Sequence, residues 1–466
     1  MNRASASDRA RTTAPPDLVR LLVVASVALI TLVAFESLAA SAALPAISAE
    51  LDGLQLYPVA AGAPLAAQLV ATALAGAWAD ARGPRPVLLL GLPLFPLGLV
   101  LAGTAPSMGL LALGRGVQGL GGGLLIVPLY VLVGALVPQR RQPGVFAWFS
   151  AAWVLPALGG PALTGLVVDN ASWRWVFLGA AALMVVVTLC FAPLLRHMPG
   201  RDDGRARRPG TRRLVLAATG AGVGVAVLQV SGSAQQSWSL PAAAAGLLVL
   251  ALALPRLLPA GTARLAVGVP AAVACRALLN AAFMTTHTFL PLLLVREYGW
   301  SVTGAGFVVA ASSVTWAVGA FVQGWVHSDA ARRRLTWLGP LLLAVGTLVT
   351  SGAAIPAVGP WVAVPGWALG GAGIGMVYAA LTVLALRMTP PEQHGEVSAS
   401  LQVSDALGAA VGLAASGALF LALIDGGGTA AYLAGLLLAT TFAGVAVVGG
   451  ARATSGRAAG AATGPA

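Results

Sequence analysis

Long apolar runs, broken only by short charged loops, decide what this chain can fold into. A helix crossing the hydrocarbon layer needs roughly 20 apolar residues. Fourteen runs come near or exceed that length: residues 21–44, 59–79, 87–105, 108–136, 145–168, 175–195, 214–230, 240–258, 267–295, 302–326, 335–355, 361–386, 397–424 and 430–448. Only 9% of the 466 residues are charged and 58% are hydrophobic, whereas a soluble domain averages about 25% charged residues to face water. Lipid is therefore the solvent for most of the surface. The runs far outlast the roughly ten-residue alternating strands of a membrane barrel. The sequence specifies an all-α membrane protein.

Arginine placement tests the count of spans independently. All 27 basic residues are arginine, and formal net charge is +12. If both termini are cytoplasmic, twenty-three arginines fall in inward segments, and only Arg174 and Arg296 lie outside. Arg115 and Arg276 fall within spans. That asymmetry is the positive-inside pattern. Dropping one middle run would invert everything after it and place its arginines outside. Dropping both preserves the parity and gives twelve spans, the main alternative, but two apolar runs of that length have no soluble home. The basic residues form no stripe among polar neighbours, which disfavours nucleic acid as a partner. Absence of lysine, with abundant Ala, Gly and Pro, suggests a bacterial source, hence a multi-pass protein of the cytoplasmic membrane. The polar first twenty residues lack the short apolar core of a removable signal.

The expected organisation is a cytoplasmic tail (1–20), a six-helix bundle (21–196), an arginine-rich cytoplasmic linker (197–213), two extra membrane helices (214–258), a second six-helix bundle (267–448) and a disordered tail (449–466). Cys190 and Cys275 fall in different spans and suggest neither a disulfide nor a metal site. No zinc pattern, Ser-His-Asp arrangement or hydrolase carboxylate pair stands in a water-accessible segment. Neither catalytic residues nor a cofactor is expected, and no extramembrane stretch is large enough for an enzyme domain. Gly119 to Gly123 lacks the Lys-Ser/Thr of a phosphate loop. Trp173, Trp175, Trp300 and Trp361 fit an outer aromatic belt.

Four stretches carry more specific information. The loop after the second span reads Gly76-Ala-Trp-Ala-Asp80-Ala-Arg82-Gly83-Pro-Arg85. Span four contains Arg115-Gly116-Val-Gln118-Gly119, and span five contains Pro156, Gly160, Pro161 and Gly165 at the spacing P-x-x-x-G-P-x-x-x-G. Glu36 precedes Ala43-Leu44-Pro45 in span one. The first resembles the loop signature of the major facilitator superfamily, G-x-x-x-D-x-x-G-[RK]-[RK], with Pro84 where a basic residue is usual. The second resembles its R-x-x-Q-G element. The third resembles the antiporter signature G-x-x-x-G-P-x-x-G-G, with Pro156 and Thr164 replacing glycines. Glu36 stands where the fourteen-span drug:proton antiporters usually carry an aspartate. Gly324 and Asp329, followed by Arg332 to Arg334, form a degraded echo of the loop in the second half, as a duplicated six-helix unit implies. The resemblance implies the major facilitator fold, two six-helix bundles plus two linker helices. It also implies a cytoplasmic gate built on Gly76, Asp80, Arg82, Gly83 and Arg85, and proton-coupled export of small amphipathic or cationic compounds such as drugs.

Four charged residues lie deep within spans: Glu36, Arg115, Arg276 and Asp405. Each costs on the order of 2.5–3.5 kcal/mol to place there on insertion scales, unless it faces a partner or an aqueous cavity. At about 1.5 Å per residue, Glu36 lies roughly 13 Å and Arg115 roughly 10 Å from the outer end. On the same scale Arg276 and Asp405 lie about 12–14 Å from the inner one. One acid–base pair per half is geometrically possible. Glu36 and Asp405 are candidate proton and substrate sites, or else permanent structural partners of Arg115 and Arg276. His287, level with Glu36, titrates in the useful range and is a candidate coupling residue or a core contact. Gln118, Trp153, Asn280, Thr285, Thr286, Tyr378 and Gln402 are candidate cavity residues. An exporter of an endogenous lipid or secondary metabolite, or a non-transporting sensor or lipid-handling protein, are the competing readings. Substrate identity and oligomeric state are not legible.

Overall fold

The computed structural model describes residues 16–138, 141–196, 211–233, 238–326, 328–390, 393–424 and 428–455. Of the expected tails, 1–15 and 456–466 lie outside them, as do most of the arginine-rich linker and Arg140; residues 16–20 and 449–455, expected as tail, are instead helical and extend the first and last helices. The helices are α1 (Pro16–Glu50), α2 (Tyr57–Arg82), α3 (Pro84–Gly103), α4 (Met108–Leu136), α5 (Gln142–Ala151), α6 (Val154–Asn170), α7 (Arg174–Arg196), α8 (Thr211–Ser233), α9 (Ser239–Leu257), α10 (Val269–Arg296), α11 (Val302–Gly324), α12 (Asp329–Ser351), α13 (Ala363–Arg387), α14 (His394–Leu423) and α15 (Gly428–Ser455). Among the described residues, thirteen helices are long and apolar enough to cross a membrane. The remaining crossing, expected as one span over 145–168, is divided into α5 and α6. Pro156 explains the break. It has no N–H for the Ala152 carbonyl four residues back, and its ring crowds that carbonyl.

The chain folds as two repeats of one packing scheme. In the first half α4 packs on α2 and α3, and α1 on α6 and α7. In the second half α13 packs on α11 and α12, and α10 on α14 and α15. The extra helices α8 and α9 pack on each other, and α8 lies along both α2 and α14, bridging the halves. A small core of Ala66, Leu69, Ala218, Val225, Leu250, Leu407 and Ala410 seals that seam. Close approach there depends on small residues: a Cβ on Gly232 would stand 2.9 Å from that of Ala418.

Successive crossings alternate in direction, so the bundle has an arginine-rich end (Arg82, Arg85, Arg332–Arg334, Arg387, Arg452) and an arginine-poor end. Exposed leucines, phenylalanines and tryptophans such as Leu155, Leu189, Leu240, Phe321 and Trp361 cover the outside, as a lipid-facing surface requires. Trp173 departs from the expected belt. It is buried, its Nε1 donating to Glu50 at 2.8 Å. Trp175 and Trp361 are exposed at the arginine-poor end.

Candidate functional site: two buried ion pairs and a closed end

In the first half, α1 delivers Glu36 against Arg115 of α4. Arg115 Nη1 donates to Glu36 Oε1 and, at 2.7 Å, to Gln118 Oε1, while Gln118 Nε2 donates to Glu36 Oε2. Arg115 and Gln118 are three residues apart and so share one helix face. Both carboxylate oxygens are thereby satisfied, and Glu36 is only 1% exposed.

In the second half, Arg276 of α10 grips Asp405 of α14 with two parallel donors, Nε to Oδ1 at 2.9 Å and Nη2 to Oδ2. This fork-on-carboxylate geometry fixes orientation as well as charge. The remaining Nη1 donates to Thr382 Oγ1 at 2.7 Å. The guanidinium lies 3.9 Å from the ring centroid of Tyr378, a cation–π arrangement. Thr382 and Tyr378 are four residues apart, one face of α13. Asn280 Nδ2 donates to the Asp405 carbonyl at 2.9 Å. The pairs are not copies under the repeat, because α1 reaches α4 in one half and α10 reaches α14 in the other.

His287 joins neither pair. It is 4% exposed, stacked on Phe283 with centroids 5.9 Å apart, and neither ring nitrogen has a hydrogen-bond partner among the described residues. Phe283 also stacks on Trp367 (4.7 Å) and meets Trp316 edge-on (5.1 Å), which in turn lies 5.6 Å from Tyr378. Thr285 and Thr286 are fully buried, bonded to Ser416 and to the Ala282 carbonyl, so they serve as interhelix and intrahelix contacts rather than cavity lining. Trp153 and Gln402 are exposed, and Tyr378 is half-buried.

The span-five motif lies where the halves meet. Pro156, Gly160, Pro161 and Gly165 are all buried on α6. A Cβ on Gly160 would touch Phe35 of α1 at 3.7 Å, one on Gly165 would overlap the Thr303 backbone of α11, and one on Gly306 would stand 2.6 Å from the Pro161 carbonyl oxygen. Beside them Asp169 accepts from Val302 N (3.2 Å), Thr303 N (3.0 Å) and Thr303 Oγ1 (2.6 Å). Ser301 Oγ accepts from Gly304 N at 3.0 Å. The first three free N–H groups of α11 are thus capped, two of them from the opposite half. Tyr57 Oη donates across the halves to the Thr288 carbonyl at 2.8 Å. The α6–α11 contacts and the Tyr57–Thr288 bond join the halves toward the arginine-poor end, so the halves are closed there.

Sequence reasoning missed Asp169 and Tyr57. A signal was present: an acid at a helix C-terminus opposes the dipole of its own helix, and Asp169 makes sense only as a cap for another. At the arginine-rich end, Gly83 makes the α2–α3 turn at φ 82°, ψ 171°, a conformation open essentially only to glycine. Arg82 and Arg85 are exposed, and nothing lies within 4 Å of where a Cβ on Gly76 would stand. The Asp80 side chain lies outside the described residues.

The family model of the Major Facilitator Superfamily matches residues 25–413 and, as a second placement, 272–464. The chain belongs to the Major Facilitator Superfamily. It is thus a multi-pass membrane transporter of that family, and the two placements agree with the repeat seen in the packing. Among its relatives is a probable multidrug-efflux transporter of Mycobacterium tuberculosis, 28% identical over 427 residues, covering 88% of this chain and 89% of the relative. Another is a triacylglyceride transporter of Mycobacteroides abscessus, 29% identical over 385 residues, covering 78% and 74%. Solved structures with the same fold include a POT-family transporter in complex with 5-aminolevulinic acid (TM-score 0.64, 15% identity, 94% and 97% covered). The E. coli xylose transporter, partially occluded and inward open, is similar too (TM-score 0.61, 12% identity, 93% and 97% covered).

Proposed function

We propose that this superfamily member exports small amphipathic molecules from a bacterial cytoplasm in exchange for protons, by alternating access, with both termini cytoplasmic. The observation that carries the reading is the placement of two carboxylates, Glu36 and Asp405, deep in membrane helices and each bound by an arginine. An ion pair in hydrocarbon offsets the insertion cost of its members but is a poor source of stability compared with apolar packing. Its retention in both halves points to use. In an exporter the acid takes a proton from outside, releases its arginine and hands the proton on when the site faces inward. The driving force is about 2.3 kcal/mol per charge per 100 mV. The buried motif of Pro156, Gly160, Pro161 and Gly165, with the Asp169 cap, forms the outer gate, closed in this state. The turn at Gly83 with Arg82, Arg85 and Asp80 belongs to the inner one. In this reading His287, stacked on Phe283 beside the aromatic cluster, is a third proton site. The efflux names of the mycobacterial relatives support this direction of transport.

The relative named a triacylglyceride transporter favours a second reading, export of an endogenous lipid by the same machinery. Purified protein in liposomes with an imposed pH gradient tests the coupling. Gradient-driven flux of an aromatic amphipath is expected from the wild type and lost in Glu36→Gln and Asp405→Asn. Flux at the wild-type rate in both folded variants refutes the assignment. No flux of amphipath or lipid under any gradient refutes both export readings.

A further inference from the structure

The interior of this transporter is electrically balanced, and that balance bears on what it carries. Among the described residues two acids lie deep in spans, and both are consumed: Glu36 by Arg115 and Gln118, Asp405 by both prongs of Arg276. Among the described residues, a permanent cation entering the membrane interior meets no carboxylate free to compensate it. Aromatic faces are the other natural host for a cation, and here all but that of Trp316 are engaged or buried, while Trp316 stands beside the ring that carries the Arg276 charge. The Tyr378 ring is covered by the Arg276 guanidinium at 3.9 Å. Phe283 is stacked against both His287 and Trp367, and Trp367 is fully buried. The accessible rim of the cluster consists of Trp316 and Tyr378, both half-buried, with the Arg276 charge directly behind one of them. A flat apolar ring gains stacking on Trp316 and pays no charge desolvation. A cation pays desolvation and meets Arg276.

We propose that the rim formed by Trp316 and Tyr378 over the Arg276–Asp405 pair is a substrate site for uncharged, flat aromatic molecules, and that it discriminates against permanent cations. The proposal rests on the transporter reading and names the substrate class of its second-half site. It narrows the amphipathic or cationic class suggested by sequence to the neutral branch. It also explains why the pair is built as a two-pronged fork: a loosely held Asp405 would present a carboxylate to any passing cation.

Acridine and N-methylacridinium differ by one permanent charge on the same ring system. Equilibrium binding of each to the solubilised full chain is measured at pH 8, where acridine is neutral. Wild type is expected to bind acridine at least about tenfold more tightly, a difference of about 1.4 kcal/mol. Trp316→Ala is expected to weaken acridine by a similar factor. Arg276→Gln frees Asp405 and is expected to raise N-methylacridinium affinity at least about tenfold. Equal or tighter binding of the cation by wild type overturns the proposal. So does wild-type binding of neither probe, or no gain of cation binding in a folded Arg276→Gln protein. Should that variant fail to fold, the wild-type ratio and Trp316→Ala decide alone. Flux under a pH gradient is read separately. Lost coupling with intact selectivity counts against the antiport reading, and intact flux without selectivity counts against this one.

Discussion

Removing the Asp169 carboxylate loosens the closure at the arginine-poor end by a calculable amount. Asp169 accepts two backbone N–H groups and one hydroxyl from the first turn of α11, at 3.2, 3.0 and 2.6 Å. It sits in a solvent-exposed position, so the relevant scale is that of a helix cap, about 1–2 kcal/mol on truncation to alanine. Since the bonds join the halves, that loss falls on the closed state alone and multiplies the open-to-closed ratio by about 5–30. The assay is a distance distribution between spin labels at Asn170 and Val358, one on each half at that end, with Cys190 and Cys275 replaced. Asp169→Ala is expected to raise the long-distance population by that factor. Asp169→Asn, which keeps one acceptor oxygen, falls between. A ratio within twofold of wild type in Asp169→Ala refutes the latch.

Other perturbations have equally definite signs. Arg115→Gln strands the Glu36 carboxylate in the membrane interior and should cost about 3–5 kcal/mol, seen as a lowered thermal midpoint in detergent. Adding Glu36→Gln should recover most of it, and a double variant as unstable as the single one contradicts the pairing energetics. Gly165→Val places a side chain into the Thr303 backbone and should open the arginine-poor end more than Asp169→Ala does. Unchanged label distances would show that α6 and α11 do not gate. Gly83→Ala forces a side chain into the φ 82° turn at about 1–3 kcal/mol, and an unaltered midpoint would show that the turn relaxes freely.

Helix positions were legible because a lipid solvent leaves so little choice: 108–136 was read to the residue and most other spans to within several. The division of span five was not read, although its cause, Pro156, was in plain view as a motif position. Intramembrane charges drew attention to Glu36, Arg115, Arg276 and Asp405, and helix arithmetic made the observed pairing geometrically possible. What arithmetic along one helix does not give is rotation. Thr285 and Thr286 therefore passed as cavity residues while they face neighbouring backbone and Ser416. Position at a span end likewise suggests an interfacial Trp173, whereas its indole is buried and donates to Glu50. The Asp169 cap escaped because it joins residues 133 positions apart. The aromatic cluster escaped because its rings come from α10, α11 and α13, and no local pattern announces their meeting.

Proton release on substrate binding tests the central claim without a membrane or a gradient. Purified protein in a weakly buffered solution near neutral pH is mixed with a transported amphipath, and the pH change is followed with a dye. If Glu36 and Asp405 carry the protons, wild type releases protons in proportion to the sites filled, each single amide variant releases fewer, and Glu36→Gln/Asp405→Asn releases none. Full release from that folded double variant, with binding intact, would mean that the buried pairs are struts and the protons travel elsewhere.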